Sequence, residues 1–205
     1  METPQDVVLP LHYWPSVDWC RAAAQARRWW LQPHDATRWQ RQQPYNRCWV
    51  AATDGPLRLV VPGTVQGGKP ASLAQVYPVP QAANAWVRQH QEAIRSAYGR
   101  SPYWEVYGQD ILALVAEADP ARPLPAWTWR LTAWLLQELG LPAPQPGPPP
   151  AEAAALRFPK WGAPAGCPAM AAYPQRFPGW QPHLSALDLL LNTGGEAALH
   201  LQAAD

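Results

Sequence analysis

WWLQPHDATRWQRQQPYNRCWV, from Trp29 to Val50, sets a long polar segment between two apolar runs. Arg28 to Leu31 and Arg47 to Ala52 are rich in the aromatic and β-branched side chains that suit a pleated, half-buried surface, so both read as strands. Between them lie a histidine, acid, arginine and amide side chains at a density that marks a loop held by rigid elements. Such loops carry binding and catalytic groups more often than the elements that frame them.

Upstream, Val7 to Leu11 reads as a further strand. Ser16 stands where it can cap a helix running to about Gln25, with Asp18 favourable to the positive end of the helix dipole. The chain therefore begins with a βα unit. Downstream, Leu57 to Val61 pairs with the strand from Arg47 across Asp54-Gly55, a dipeptide suited to the positive φ angles of a tight hairpin. Beyond the hairpin the apolar period becomes helical. From Asn84 to Tyr98 the residues Trp86, Val87, Ile94, Ala97 and Tyr98 share a face with His90, and Gly99 stands at the expected C-cap. Val106 to Ala118 reads as a second helix. Pro125 to Leu139 reads as a third, with Trp127, Leu131, Trp134, Leu135 and Leu139 on one stripe and Gly140 ending it. Ser185 to Asn192 closes the series. The fold class is α+β or mixed α/β, a small sheet with an N-terminal βα start and a β-hairpin, packed by several helices.

A length of 205 residues suits one domain over 1–205. Of the 26 prolines, a cluster lies in LPAPQPGPPP, 141–150. It lacks the amide hydrogens a helix or central strand needs, and reads as an extended connector before a closing segment, 151–205. With 16 basic and 15 acidic residues the formal net charge is +1, so no global field favours nucleic acid, and anion binding must be local. Cys20, Cys48 and Cys167 are odd in number and widely spaced, which argues against a disulfide framework or zinc site and for a reducing cytoplasm. METPQDVVLPLHYWP, 1–15, has early acids and an apolar run broken by Pro10, so neither a signal peptide nor a membrane span is expected. No cofactor and no metal is expected: His34, Asp35, His90 and His183 have no recognised ligand spacing.

Three stretches resemble the WbqC-like protein family. The first is His34 to Cys48, with an aromatic (Trp39), a Gln-basic pair (Gln40-Arg41) and an Asn-Arg ending (Asn46-Arg47). The second is HQEAIRSAYGRSPYWEVY, His90 to Tyr107, similar to the family's histidine helix followed by Ser-Pro-aromatic-aromatic. The third is YPQRF, Tyr173 to Phe177, with GWQPHLSALDLLLNTGGEA, Gly179 to Ala197. The chain departs from the pattern at His183, where asparagine is usual, and at Trp39, where tyrosine is common. The resemblance implies a place in bacterial surface-polysaccharide (O-antigen) biosynthesis and supplies no mechanism.

The catalytic candidates are His90, Cys48 and Asp188. A thiolate at Cys48 needs a nearby cation or base, which Arg47 with His34 or His90 can supply. Against that, a lone cysteine in a strand more often packs as a small apolar residue, and the family carries cysteine or asparagine at this position. His90 is a general-base candidate because its pKa lies near neutrality, although its apolar face fits a core histidine equally well. Asp188 fits either a capping-box start, with Ser185, or an inward acid that orients Arg47 or His90. The substrate-binding candidates are His34, Trp39, Gln40, Arg41, Asn46, Arg47 and Trp180. Guanidinium forks bind anionic groups, amides read sugar hydroxyls and indole faces stack on sugar rings. Arg47, His90 and Asp188 are expected to face one concavity. The partner is a small-molecule sugar or nucleotide sugar, with oligomeric state open. The function expected is acyl or aminoacyl transfer to an amino sugar or nucleotide sugar; the alternative expectation is a non-catalytic sugar or nucleotide-sugar binding or assembly protein.

Overall fold

Asp6–Leu9 forms β1 with all four residues buried, the chain crosses through helix α1 (Val17–Gln25), and Arg28–Leu31 returns as β2. The strands are parallel, in register from Asp6↔Arg28 to Leu9↔Leu31. This computed structural model describes residues 5–33, 44–65, 72–81, 85–159, 161–164 and 170–202. Ser16 caps α1 as its side chain accepts from the Trp19 amide, 3.2 Å away. β7 (Ala154–Ala155) lies parallel on the other side of β1, giving the order β2-β1-β7. β1 is thus the central strand, and all three strands end at the same edge.

The proline-rich stretch 141–150 contains no helix or strand and runs back past β2, where the Gln145 amide donates to the Trp29 carbonyl at 2.7 Å. Trp19 and Trp29 meet edge to face beneath it, ring centroids 5.3 Å apart. Their indole N–H groups donate to the carbonyls of Pro10 and Pro142, at 2.7 and 3.0 Å. This pair gains both buried area and ring geometry while leaving neither of its two indole donors unpaired.

β3 (Arg47–Val50) and β4 (Leu57–Val60) form the antiparallel hairpin, from Arg47↔Val60 to Val50↔Leu57. Its connection, residues 51–56, is wider than a two-residue turn. Gly55 takes φ +104° whereas Asp54 is not among the positive-φ residues, so the dipeptide marks the turn without forming the tight type. A second antiparallel pair, β5 (Gly63–Val65) with β6 (Val76–Pro78), follows.

Helices α2 (Trp86–Tyr98), α3 (Trp104–Ala116), α4 (Leu124–Glu138), α5 (Ala186–Thr193) and α6 (Ala197–Gln202) pack around these strands. The fold is α+β of the mixed kind. α2 buries the face read from its periodicity, His90 included. α4 begins with proline in its first turn and stops before Gly140, φ +63°. The closing segment is stitched to the βα start by three backbone hydrogen bonds: Val17 N to Leu184 O (2.9 Å), Ala186 N to Pro15 O (2.8 Å) and Ser185 N to Trp49 O (2.7 Å). They bring the start of α5 against the start of α1 and against β3. Among the described residues, no helix is long and apolar enough to cross a membrane.

Candidate functional site

Parallel strands present the carboxyl ends of their chains, and the loops that follow them, along one edge; in open α/β sheets ligands lie outside that edge. Here a cleft of about 390 Å³, counted to its open mouth, sits among these segments. The loop after β1 supplies His12, Tyr13, Trp14 and Ser16. Pro44 and the start of β3 supply Arg47, Cys48 and Trp49. Beyond β7, Phe158 and Trp161 line the cleft, and the closing segment supplies His183 and Ser185. Strands, crossover helix and closing segment all converge on this one concavity.

Two features set the cleft apart. Among the described residues, two non-glycine residues have positive φ, Trp14 (+43°) and His183 (+62°), and both line it. Left-handed backbone is costly for bulky side chains and persists where surrounding structure enforces it, commonly at functional sites. The second feature is an acid-histidine pair, His183 Nδ1 to Asp18 Oδ2 at 3.0 Å. Asp18 lies in the first turn of α1, only 5% exposed. A carboxylate only accepts, so Nδ1 carries the proton shared with Asp18, and in the neutral ring the lone pair is then on Nε2. Trp161 stands edge-on to His183 and also to Trp49, with centroids 5.5 and 4.8 Å apart, forming an aromatic lip. No group of three or more His, Cys, Asp or Glu side chains suited to a metal occurs among the described residues.

The residues singled out from the sequence fall in different places. His34, Trp39, Gln40 and Arg41 lie outside the described residues. Arg47 and Cys48 line the cleft. Burial, with Arg58 adding repulsion, lowers the Arg47 pKa. Burial pushes the Cys48 thiol well above its ordinary value, which keeps it protonated at neutral pH. Asn46 is turned away, its amide donating to the Val61 carbonyl at 2.7 Å. His90 sits one hydrogen bond behind the wall, its Nδ1 2.8 Å from the Tyr13 hydroxyl. Burial lowers its pKa to about 4, opposed by the Val60 carbonyl. The ring is therefore neutral, Nδ1 accepts, and the Tyr13 hydroxyl donates.

Asp188 faces inward, fully buried, but it is not part of the cleft lining, so the three-way convergence of Arg47, His90 and Asp188 is not what the structure places there. Its Oδ2 accepts from Tyr173 Oη at 2.8 Å and Gln175 Nε2 at 2.9 Å. Burial raises its pKa to about 6, against those hydrogen bonds. Ser185 alone caps α5 through the Leu187 amide. Trp180 is 38% exposed and packs edge-on to Tyr173, 4.9 Å between centroids, beside this second cluster. Sequence reasoning missed the HYW triplet, residues 12–14, the Asp18–His183 pair and Trp161. The triplet had a usable signal, since it is flanked by Pro10 and Pro15 directly after the first strand of a βα unit, where ligand loops fall.

No curated protein and no solved structure matches the chain. The model of the WbqC-like protein family matches residues 11–145, more than half the chain and a span that takes in the loop after β1, Arg47, Cys48 and His90. The chain belongs to the WbqC-like protein family.

Proposed function

We propose that this chain is a transferase of surface-polysaccharide biosynthesis that moves an acyl or aminoacyl group onto an amino sugar, free or carried on a nucleotide. The observation that carries the reading is the Asp18–His183 pair in a cleft at the carboxyl edge of three parallel strands. His183 Nε2 takes a proton from the sugar amine as its nitrogen adds to the carbonyl carbon of an activated acyl donor such as a thioester. The nitrogen–carbon bond forms, the carbon–sulfur bond breaks, and the proton passes from His183 to the departing thiolate. Asp18 keeps the ring in the required tautomer and stabilises its charged form.

Arg47 is the anchor for an anionic group of either substrate, and the Trp49–Trp161 lip offers an indole surface for the sugar ring. The loop residues His34, Trp39, Gln40 and Arg41 belong to the same proposed binding set. His90 positions Tyr13. Its lowered pKa and the raised pKa of Tyr13, both from burial, make a proton transfer between them steeply uphill, so neither is the base. Cys48 is left out as a nucleophile because its thiol stays protonated, and Asp188 is assigned to the Tyr173 cluster.

A second reading, a non-catalytic sugar-binding protein, is favoured by one point: the family match, residues 11–145, does not reach His183, so no family feature assigns a base there. Incubation of the protein with nucleotide-linked amino sugars and short acyl thioesters, followed by mass spectrometry, separates the two. Acyl mass added to the sugar supports the transferase. Calorimetric binding of the sugar without added mass supports the second reading, and neither binding nor transfer rejects both.

A further inference from the structure

Four buried tryptophans, Trp19, Trp29, Trp86 and Trp127, each donate their indole N–H to a backbone carbonyl at 2.7 to 3.0 Å. Trp14 does not. It is 1% exposed and its Nε1 has no partner at full hydrogen-bond geometry; the Tyr13 hydroxyl is the acceptor it approaches, a contact that lowers the Tyr13 pKa against burial. An indole N–H donates only, and one buried without an acceptor forfeits its hydration with nothing in return. Trp14 also bears positive φ in the wall of the cleft, so the chain holds an unmatched donor there at a backbone cost as well.

A second unmatched nitrogen stands in the same lining. His12 is 3% exposed and its Nε2 lacks a partner, while Phe158 packs edge-on at 5.0 Å between centroids. Burial holds the ring neutral, with a pKa lowered to about 3. Loop, strain and two buried nitrogens without partners all lie in one turn of chain, residues 12–14.

We infer that Trp14 Nε1, supported by His12, is the donor that binds an sp² oxygen of the ligand, the carbonyl of the acyl group in transfer. The inference rests on the transferase reading for the identity of that oxygen. A neutral indole donor, beside a neutral imidazole, fits a carbonyl or single carboxylate better than a doubly charged phosphate, whose desolvation one neutral N–H group cannot offset. As the sugar nitrogen adds to the carbonyl carbon, charge builds on this oxygen and the Trp14 hydrogen bond strengthens. No proton is transferred at this position.

The test reads the Trp14 indole resonance of the full chain, labelled with ¹⁵N and assigned by through-bond correlation in the unsubstituted protein, so that no variant need fold. Acetamide, acetate and inorganic phosphate are titrated separately into the millimolar range, the affinity that ligands of a few heavy atoms can reach. A saturable downfield shift of the Trp14 indole proton with acetamide or acetate, while those of Trp19, Trp29, Trp86 and Trp127 stay in place, is the expected result. Acetamide alone marks a neutral carbonyl and acetate alone a carboxylate. No shift with either, or a shift with phosphate alone, overturns the inference. This result is independent of turnover: a shift without acyl transfer rejects the transferase reading and keeps the subsite, and transfer without a shift does the reverse.

Discussion

Asp18 and His183 are 165 residues apart in sequence and 3.0 Å apart in space. Two things bring them together. Ser16 starts α1 and sets Asp18 in its first turn, and the hydrogen bonds from Val17 to Leu184 and from Ala186 to Pro15 fix the closing segment on that turn. His183 reaches the acid with left-handed backbone, φ +62°, a conformation that asparagine and histidine tolerate better than most residues. An asparagine at this position would satisfy the same backbone requirement.

Gly194 ends α5 at φ +55°, and a Cβ there would lie 2.2 Å from Cε1 of the Tyr103 ring. Gly194→Ala therefore combines backbone strain with overpacking and should cost about 1–3 kcal/mol. Urea unfolding checks it. A midpoint equal to that of the unsubstituted protein would show that Tyr103 yields freely.

Asp188 gives a pH signature with an unusual sign. Burial raises its pKa from 3.8 to about 6, so the folded state favours the neutral acid. Its contribution to stability is greatest below pH 3.8 and declines as pH rises to about 6, by roughly 3 kcal/mol at most. His12 and His90 act in the opposite direction. Their folded pKa values, lowered to about 3 and about 4 from 6.5, make stability full above 6.5 and falling as pH drops below it. Asp188→Asn can still accept from Tyr173 and Gln175 through its carbonyl. It should be more stable than the unsubstituted chain at pH 8, and its stability should rise steadily from pH 4 to 7. Denaturant titrations across that range test the sign; a variant less stable at pH 8 would mean that the ionised acid is stabilising after all.

The main elements were legible wherever local chemistry decided them. RWWL gave β2 from its apolar aromatics, Ser16 gave the start of α1, and the helical stripe gave α2 with His90 inward. β7 was not legible, since two alanines carry little strand propensity and become a strand only because the free side of β1 accepts them. The β5–β6 pair was too short to separate from loop. At the site, Arg47 and Cys48 were visible as polar and reactive types beside a strand. The Asp18–His183 pair was not, because a contact across 165 residues leaves no periodic trace, and Asp18 already had a sufficient role at the helix start.

Cys48 lines the cleft as a protonated, buried thiol. Cys48→Ala should lose about 1 kcal/mol of stability from the small void and leave acyl transfer within a few-fold of the unsubstituted rate. Native-state iodoacetamide labelling at pH 7.5 should be slow. Complete loss of transfer in a folded Cys48→Ala protein would restore the cysteine as nucleophile.

The most direct measurement compares acyl-transfer rates of the unsubstituted chain and His183→Asn, with melting temperature and sugar binding measured on the same samples. Asparagine can keep the left-handed backbone and donate to Asp18, but it cannot take a proton at this position. Unchanged melting and binding with turnover reduced by about a hundredfold or more is the result expected of a lost general base. Turnover in His183→Asn equal to that of the unsubstituted chain would contradict the assignment of His183 as the base and leave the cleft a binding site.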